Sequence, residues 1–288
     1  MRNWLIFVQE RFPLPVYLIL CGGFTFSGLF LFQSSFRWIS FVFSYCGLLL
    51  FFFELRLMDE LKDFKKDAVA HPERPLPRGL ISLGQARQVT MYILLVMVLF
   101  SLLAGMLLNI QSAISYLAIT IYLGLMYKEF FIGKWLEKKP VFYAMSHQII
   151  IFAVCVFTIT VIEPGKYLHP RTFYLCFAIS GAFFCYEICR KLDPQANKIL
   201  KTYLFVYGPA KTSLLVIVAT GLAAVGAAGL NLEILLWPAE GLLIISLIFI
   251  QVKPGRFRLV ESIATLSLIV HLWGLAVHHM LASMILLR

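Results

Sequence analysis

The sequence predicts an all-α integral membrane protein, a bundle of nine transmembrane helices, and three observations carry that expectation. Hydrophobic residues make up 60% of the 288 positions and charged ones only 14%, a balance that suits a bilayer rather than water as solvent. The apolar residues collect in runs long enough to cross a hydrocarbon core of roughly 30 Å, which takes about 20 residues at helical rise. The runs lack strand alternation, and a backbone in lipid must satisfy its own hydrogen bonds, so each run is expected as a helix.

In chain order the runs fall at about 14–33, 38–58, 89–109, 111–127, 141–163, 171–190, 210–230, 233–251 and 260–286. One domain over 1–288 follows, because membrane spans do not fold as separate soluble domains. The segment before the first run, with Glu10 and Arg11, has no convincing small-residue cleavage site and reads as an interfacial lead-in rather than a removed leader. The six cysteines lie in or beside apolar stretches without zinc-like spacing, so neither a disulfide framework nor a zinc site is expected.

Nine spans put the two ends on opposite sides. With the N-terminus inside, 20 of the 25 Lys and Arg residues fall in inner segments, and only Arg37, Lys166, Arg171 and Arg288 fall outside. That asymmetry orients the chain with its N-terminus and longer connections cytoplasmic. It also accounts for the net charge of +10 without a nucleic-acid partner. The two longest inner connections, about 59–88 and 190–209, are where chemistry is expected.

The first carries Asp59-Glu60-Leu-Lys62-Asp63-Phe-Lys65-Lys66-Asp67 and then Arg74-Pro75-Leu76-Pro77-Arg78-Gly79. Asp59, Asp63 and Asp67 are four apart, so a helix continuing from the second span aligns three carboxylates on one face. Such a row repels itself unless a cation neutralises it. Mg²⁺ suits it, because that ion binds carboxylate oxygen and completes its shell with water and substrate phosphate. A solvated helix whose acids pair with Lys62, Lys65 and Lys66 is the competing reading of the spacing alone. Pro75 and Pro77 stop the helix and predict an extended, stiff turn that displays two guanidiniums suited to phosphate.

At these residues the chain resembles the UbiA superfamily of intramembrane prenyltransferases, whose first motif reads Asn-Asp-x-x-Asp-x-x-x-Asp before an Arg-Pro-Leu turn. Asp59 stands here for the family Asn and Glu60 for the family Asp. The resemblance implies a UbiA-like fold and transfer of an isoprenyl chain from its diphosphate to a hydrophobic or aromatic acceptor, with Mg²⁺ as cofactor. It makes Asp59, Asp63 and Asp67 a first metal site and Glu60 an auxiliary ligand or orienter. It places Lys62, Arg74 and Arg78 on the diphosphate, and Lys128 as well, from the looser Tyr127-Lys128-Glu129 match. Its setting would be a bacterial inner membrane.

The second acidic motif of that family should follow the sixth span. Its place holds Tyr186-Glu187-Ile-Cys-Arg190-Lys191-Leu-Asp193-Pro194-Gln195. At four-residue spacing this reads Glu187, Lys191, Gln195, so one acid survives and a cation takes the second position. An ammonium cannot ligate Mg²⁺, but Lys191 and Arg190 can bind phosphate directly, with Glu187 orienting Lys191 or sharing a metal. Interfacial anchoring of the helix end is the alternative. Of the other intramembrane polar groups, His147 is expected to meet an acceptor or a neighbouring helix, and Glu54 to pair with Arg56 or another helix. His271, His278 and His279 show no metal-ligand partners.

Two other classes stay open: a transporter or noncatalytic isoprenoid-lipid-binding protein, and an enzyme moving another group onto a polyprenyl phosphate. Transporters place charge near the bilayer midplane, often with internal repeats. Here charge gathers at the inner rim and no repeat is evident.

Overall fold

The computed structural model describes residues 2–286; Met1, Leu287 and Arg288, the last counted above among the outer cations, lie outside the described residues. The chain is 84% helical, with no strand among the described residues. A short helix α1 (Arg2–Arg11) precedes α2 (Leu14–Leu31), α3 (Trp38–Ala70), α4 (Leu83–Leu107), α5 (Ile110–Tyr127), a single turn α6 (Gly133–Leu136) and α7 (Pro140–Ile162). Then follow α8 (Pro170–Cys189), α9 (Tyr203–Gly229), α10 (Glu233–Ser246), α11 (Ile248–Val252) and α12 (Phe257–Leu286). Among the described residues nine segments are long and apolar enough to cross a membrane, α10 and α11 together forming the eighth. These are the nine runs of the sequence, and the protein is an integral, multi-pass membrane protein.

Two helix starts differ from expectation. The second span's helix continues past its apolar run to Ala70, as the acid spacing required, and its 33 residues extend about 50 Å at 1.5 Å per residue, more than the hydrocarbon thickness. Residues 59–70 are therefore helix, and the inner connection shrinks to 71–82. The third helix starts at Leu83 rather than 89, because Ser82 and Gln85 form a capping box, each side chain bonding the other's backbone N–H. The seventh starts at Tyr203 rather than 210: Thr202 caps it, and a kink at Gly208 (φ 72°) ahead of Pro209 separates these first turns from the run that hydropathy marks.

The chain folds into two compact units, the first comprising the chain to Thr25 with Phe36–Pro164, the second Phe26–Ser35 with the chain from Gly165 onward. In the first unit α4 packs on α5, α5 on α7, and α3 on both α4 and α7. An aromatic file joins the four helices. Phe43, Phe100, Tyr116 and Phe157 follow one another at centroid separations of 5.1, 4.8 and 4.9 Å. The Tyr116 hydroxyl donates to the Gly47 carbonyl at 2.9 Å, which satisfies its polar end inside the bundle. On the outer side of α4, Met91, Leu95, Leu99, Leu102 and Met106 are exposed at helical spacing, as a lipid-facing stripe should be.

In the second unit α8 and α9 approach most closely, and α12 packs on α8 and α10. A Cβ at Gly181 would stand 2.5 Å from the Ala223 amide nitrogen, so glycine is what lets the two backbones meet. His271 of α12, to which the sequence assigned no role, has a partner here. Its Nε2 meets Glu240 Oε1 of α10 at 2.9 Å, both side chains buried. Thirty-one residues separate the pair, so no local spacing pointed to it.

Candidate active site

The inner end of α3 holds most of the predicted site. Asp59, Asp63 and Asp67 lie on one uninterrupted helix, so four-residue spacing places them on one side of it. Their partners separate them. Asp59 is 38% exposed and meets Lys62 Nζ at 3.3 Å. Asp63 is half-buried and has no ion pair among the described residues. Asp67 is buried, at 4% side-chain exposure, with Arg74 Nη1 at 2.6 Å from its Oδ1.

Glu60 is the most enclosed acid of the motif, at 2% exposure. Its Oε1 accepts from Arg11 Nε at 2.7 Å and from Arg56 Nη2 at 2.5 Å. A carboxylate at this depth needs such pairing, because an unpaired buried charge is costly. Arg56, expected to be a partner of Glu54, is thus committed to Glu60. Glu54 is fully buried, and both of its oxygens are without a hydrogen-bond partner among the described residues.

Lys62 extends across to α7, with its Nζ 5.6 Å from the Tyr143 ring centroid. Tyr143 in turn donates to Glu129 Oε1 at 3.3 Å. Asp59 and Lys62 line a shallow cleft between α3 and α5 together with Leu55, Met58, Leu123, Met126 and Tyr127. Lys128, next in the chain, lies over the Tyr127 ring at 5.5 Å. His147 bonds the Tyr143 carbonyl of its own helix through Nδ1 at 2.8 Å and stacks on the Tyr143 ring.

The Arg74–Gly79 segment is not extended, as the prolines had suggested, but a succession of tight turns. Arg78 N–H donates to Arg74 O, Gly79 N–H to Leu76 O and Leu80 N–H to Pro75 O, at 2.9 to 3.0 Å. Gly79 adopts φ 77°, a conformation that glycine enters without strain. Proline fixed the φ angles, while burial of Leu76 and Ile81 folded the segment back on itself. Arg78 makes a bidentate pair with Glu10, Nη2 to Oε1 at 2.8 Å and Nη1 to Oε2 at 3.0 Å, and also donates to Glu73 O. The guanidinium hydrogen bonds hold the Glu10 carboxyl below the usual carboxylate range.

In the second unit α8 ends at Cys189, so the four-residue reading Glu187–Lys191–Gln195 runs off the helix. Pro194 disfavours helix at the residue before it, and Asp193 Oδ1 instead accepts from Gln195 N–H at 2.8 Å, closing a turn. Glu187 takes Arg190 Nε on Oε2 at 2.6 Å and Lys191 on Oε1. Glu187 is thus occupied by two cations, and Glu261 of α12 also faces Arg190, so this acid is not open to a divalent metal.

Mg²⁺ needs only one or two carboxylates where water and substrate phosphate complete its octahedron. Asp59 and Asp63 meet that requirement: hard oxygen donors one turn apart, partly exposed, neither clamped by a guanidinium. Glu60, Asp67 and Glu187 are each held by fixed cations. Among the described residues no three His, Cys, Asp or Glu side chains converge on a common point, so an ion here depends on the Asp59–Asp63 pair.

These features define a helical membrane protein whose longest span carries an acid-rich extension ahead of an arginine-bearing turn. The model of the UbiA prenyltransferase family matches residues 20–256, and the chain belongs to that family. A solved structure from work on the "biosynthesis of Digeranylgeranylglyceryl phosphate synthase in membranes" shares the fold at a TM-score of 0.65. Its identity is 16%, over 96% of this chain and 98% of that one. A search of the curated proteins returned no match.

Proposed function

We propose that the protein transfers an isoprenyl chain from its diphosphate to a hydrophobic or aromatic acceptor within the membrane, with Mg²⁺ as cofactor. The observation that carries the reading is the Asp59–Asp63 pair, one turn apart and held by no arginine, at the inner end of α3 in a chain of this family. When bound there, Mg²⁺ would neutralise oxygens of the departing diphosphate.

The chain's own residues supply the rest. Asp59 and Asp63 hold the ion; Arg74 and Arg78 carry guanidiniums that match phosphate geometry. Lys62 and Lys128 add positive charge beside the cleft. Arg190 and Lys191 act as fixed cations in place of a second metal, with Glu187 orienting both. In the transfer the allylic C–O bond breaks, and its electron pair leaves with the diphosphate. The acceptor then bonds that carbon and loses a proton. Apolar helix walls keep water from the allylic cation. The positive-inside asymmetry supports a cytoplasmic N-terminus and headgroup site. The family match runs through both compact units, which supports one domain over 1–288.

The test incubates purified protein with Mg²⁺, a panel of isoprenyl diphosphates and lipid-extract acceptors, and follows products by mass spectrometry. A prenylated product that Asp63→Asn fails to form supports the reading. Absence of product and of pyrophosphate release across the panel leaves the lipid-binding alternative in its place.

A further inference from the structure

Residues 2–11 lie outside the stretch that matches the family, yet α1 bonds both parts of the first motif. We propose that α1 is a strap whose Glu10 and Arg11 are positioning residues for diphosphate binding: Glu10 sets the Arg74–Gly79 turn through Arg78, and Arg11 sets the acid row of α3 through Glu60.

Four contacts carry this. Glu10 accepts from both terminal nitrogens of Arg78, at 2.8 and 3.0 Å. Asn3 Nδ2 donates to the Leu80 carbonyl just past the turn, at 2.9 Å. Arg11 reaches Glu60 Oε1 from Nε at 2.7 Å and from Nη2 at 2.6 Å. Between these polar ends Phe7 is fully buried in a cluster with Leu57 of α3, Leu76 and Ile81 of the connection, and Ala86 of α4. A helix of 10 residues is too short to hold itself together in water, where roughly 12–15 are needed even for good formers. The order of α1 and that of the turn therefore depend on each other.

The geometry also separates positioning from ligand binding. Glu10 engages only the two Nη groups of Arg78, and a guanidinium has five N–H donors in a fixed fork. With Nη1 also donating to Glu73 O, the Nε–H and one Nη2–H remain for a phosphate, in a plane that Glu10 fixes. Arg11 spends two donors on Glu60, an acid that two guanidiniums already withhold from metal. Its effect on substrate therefore passes through the placement of α3, and neither strap residue needs to touch the diphosphate.

Because the strap rests on the proposed diphosphate site, the experiment reads the turn and the ligand separately. Full-length protein in detergent is compared as wild type, Glu10→Gln, Arg11→Gln and the charge reversal Glu10→Arg with Arg78→Glu. Hydrogen exchange follows the amides of Arg78, Gly79 and Leu80, whose acceptors lie within the turn. Equilibrium binding of inorganic pyrophosphate with Mg²⁺ follows the site. Glu10→Gln should speed exchange of those amides about tenfold or more and weaken pyrophosphate about five- to tenfold, the loss of a charge-assisted bidentate contact. Arg11→Gln should weaken pyrophosphate similarly, and adding Glu60→Gln to it should cause little further loss. The charge reversal should restore slow exchange without restoring pyrophosphate, because the guanidinium has left the turn.

Wild-type exchange and wild-type pyrophosphate binding in both single variants would overturn the strap. Slow exchange that returns together with pyrophosphate in the reversal would show α1 to be a docking contact only, and also overturns it. If wild-type protein binds no pyrophosphate, the functional reading fails first, and fast exchange in Glu10→Gln still decides whether α1 orders the turn. Should a variant not fold, Glu10→Asp, which keeps the charge and shortens the reach, takes its place with an intermediate effect expected.

Discussion

The ends of α3 and α8, where the family resemblance expects two acidic motifs, carry different charge patterns in this chain. The α3 end presents four acids in nine residues: Glu60 and Asp67 held by arginines, Asp59 paired with Lys62, and Asp63 without an ion pair among the described residues. The nine residues 187–195 at the α8 end hold two acids: Glu187, with both oxygens taken by Arg190 and Lys191, and Asp193, which accepts from the Gln195 N–H. In the first region only Asp63 lacks an ion pair among the described residues; in the second both oxygens of Glu187 are taken. Under the proposed function acid count alone does not decide metal binding: Glu60 and Asp67 are held by guanidiniums, whereas Asp59, paired only with Lys62, and Asp63 are not.

The largest effect expected from that contrast is at Asp63. Asp63→Asn should lower Mg²⁺-dependent pyrophosphate release about 10²- to 10³-fold, the scale of losing a group aimed at developing charge. Chelation of the metal should match it. A variant that retains wild-type turnover would break the comparison on its acidic side.

Next come the cations of the second region. Lys191→Ala should slow turnover about tenfold, or ~1.4 kcal/mol of barrier, with little change in the Mg²⁺ concentration required. Lys191→Asp restores an acid at the family's spacing and should make the Mg²⁺ dependence steeper. Identical Mg²⁺ titrations for wild type and Lys191→Asp would remove the idea that a fixed cation stands in for a metal.

A smaller effect sharpens the distinction between clamped and available acids. Glu60→Gln should leave the Mg²⁺ requirement as it is while lowering thermal stability by about 1–3 kcal/mol, since Arg11 and Arg56 lose a charged partner. A large rise in the Mg²⁺ requirement would instead make Glu60 a ligand.

The smallest effect is a pH dependence of the Glu10–Arg78 pair, which lies on the exposed side. The folded state lowers the Glu10 pKa through the Arg78 guanidinium, so its stabilisation is complete above the ordinary carboxylate range and lost as pH falls through the lowered value. Wild type and Glu10→Gln should therefore differ in melting temperature at neutral pH and converge in acid. A difference that persists unchanged at low pH would assign the stability to something other than this pair.

Much of the fold was legible along the chain because hydropathy is a local property. Runs of about 20 apolar residues specify helices wherever lipid is the solvent, and all nine appear. The boundaries that moved were those where capping or backbone chemistry overrode hydropathy. Ser82 with Gln85 was a readable signal that a hydropathy window cannot see, and so was Gly208 before Pro209.

What the amino-acid sequence determined alone was the helix count, the shared face of Asp59, Asp63 and Asp67, and the placing of Lys191 four residues after Glu187. What only tertiary structure decided was which acids remain available. Arg11 reaches Glu60 across 49 positions, Glu10 reaches Arg78 across 68, and Glu240 reaches His271 across 31. Such pairs are chosen by how helices pack, since a long side chain finds its counter-ion in space and no periodicity along the chain records that choice.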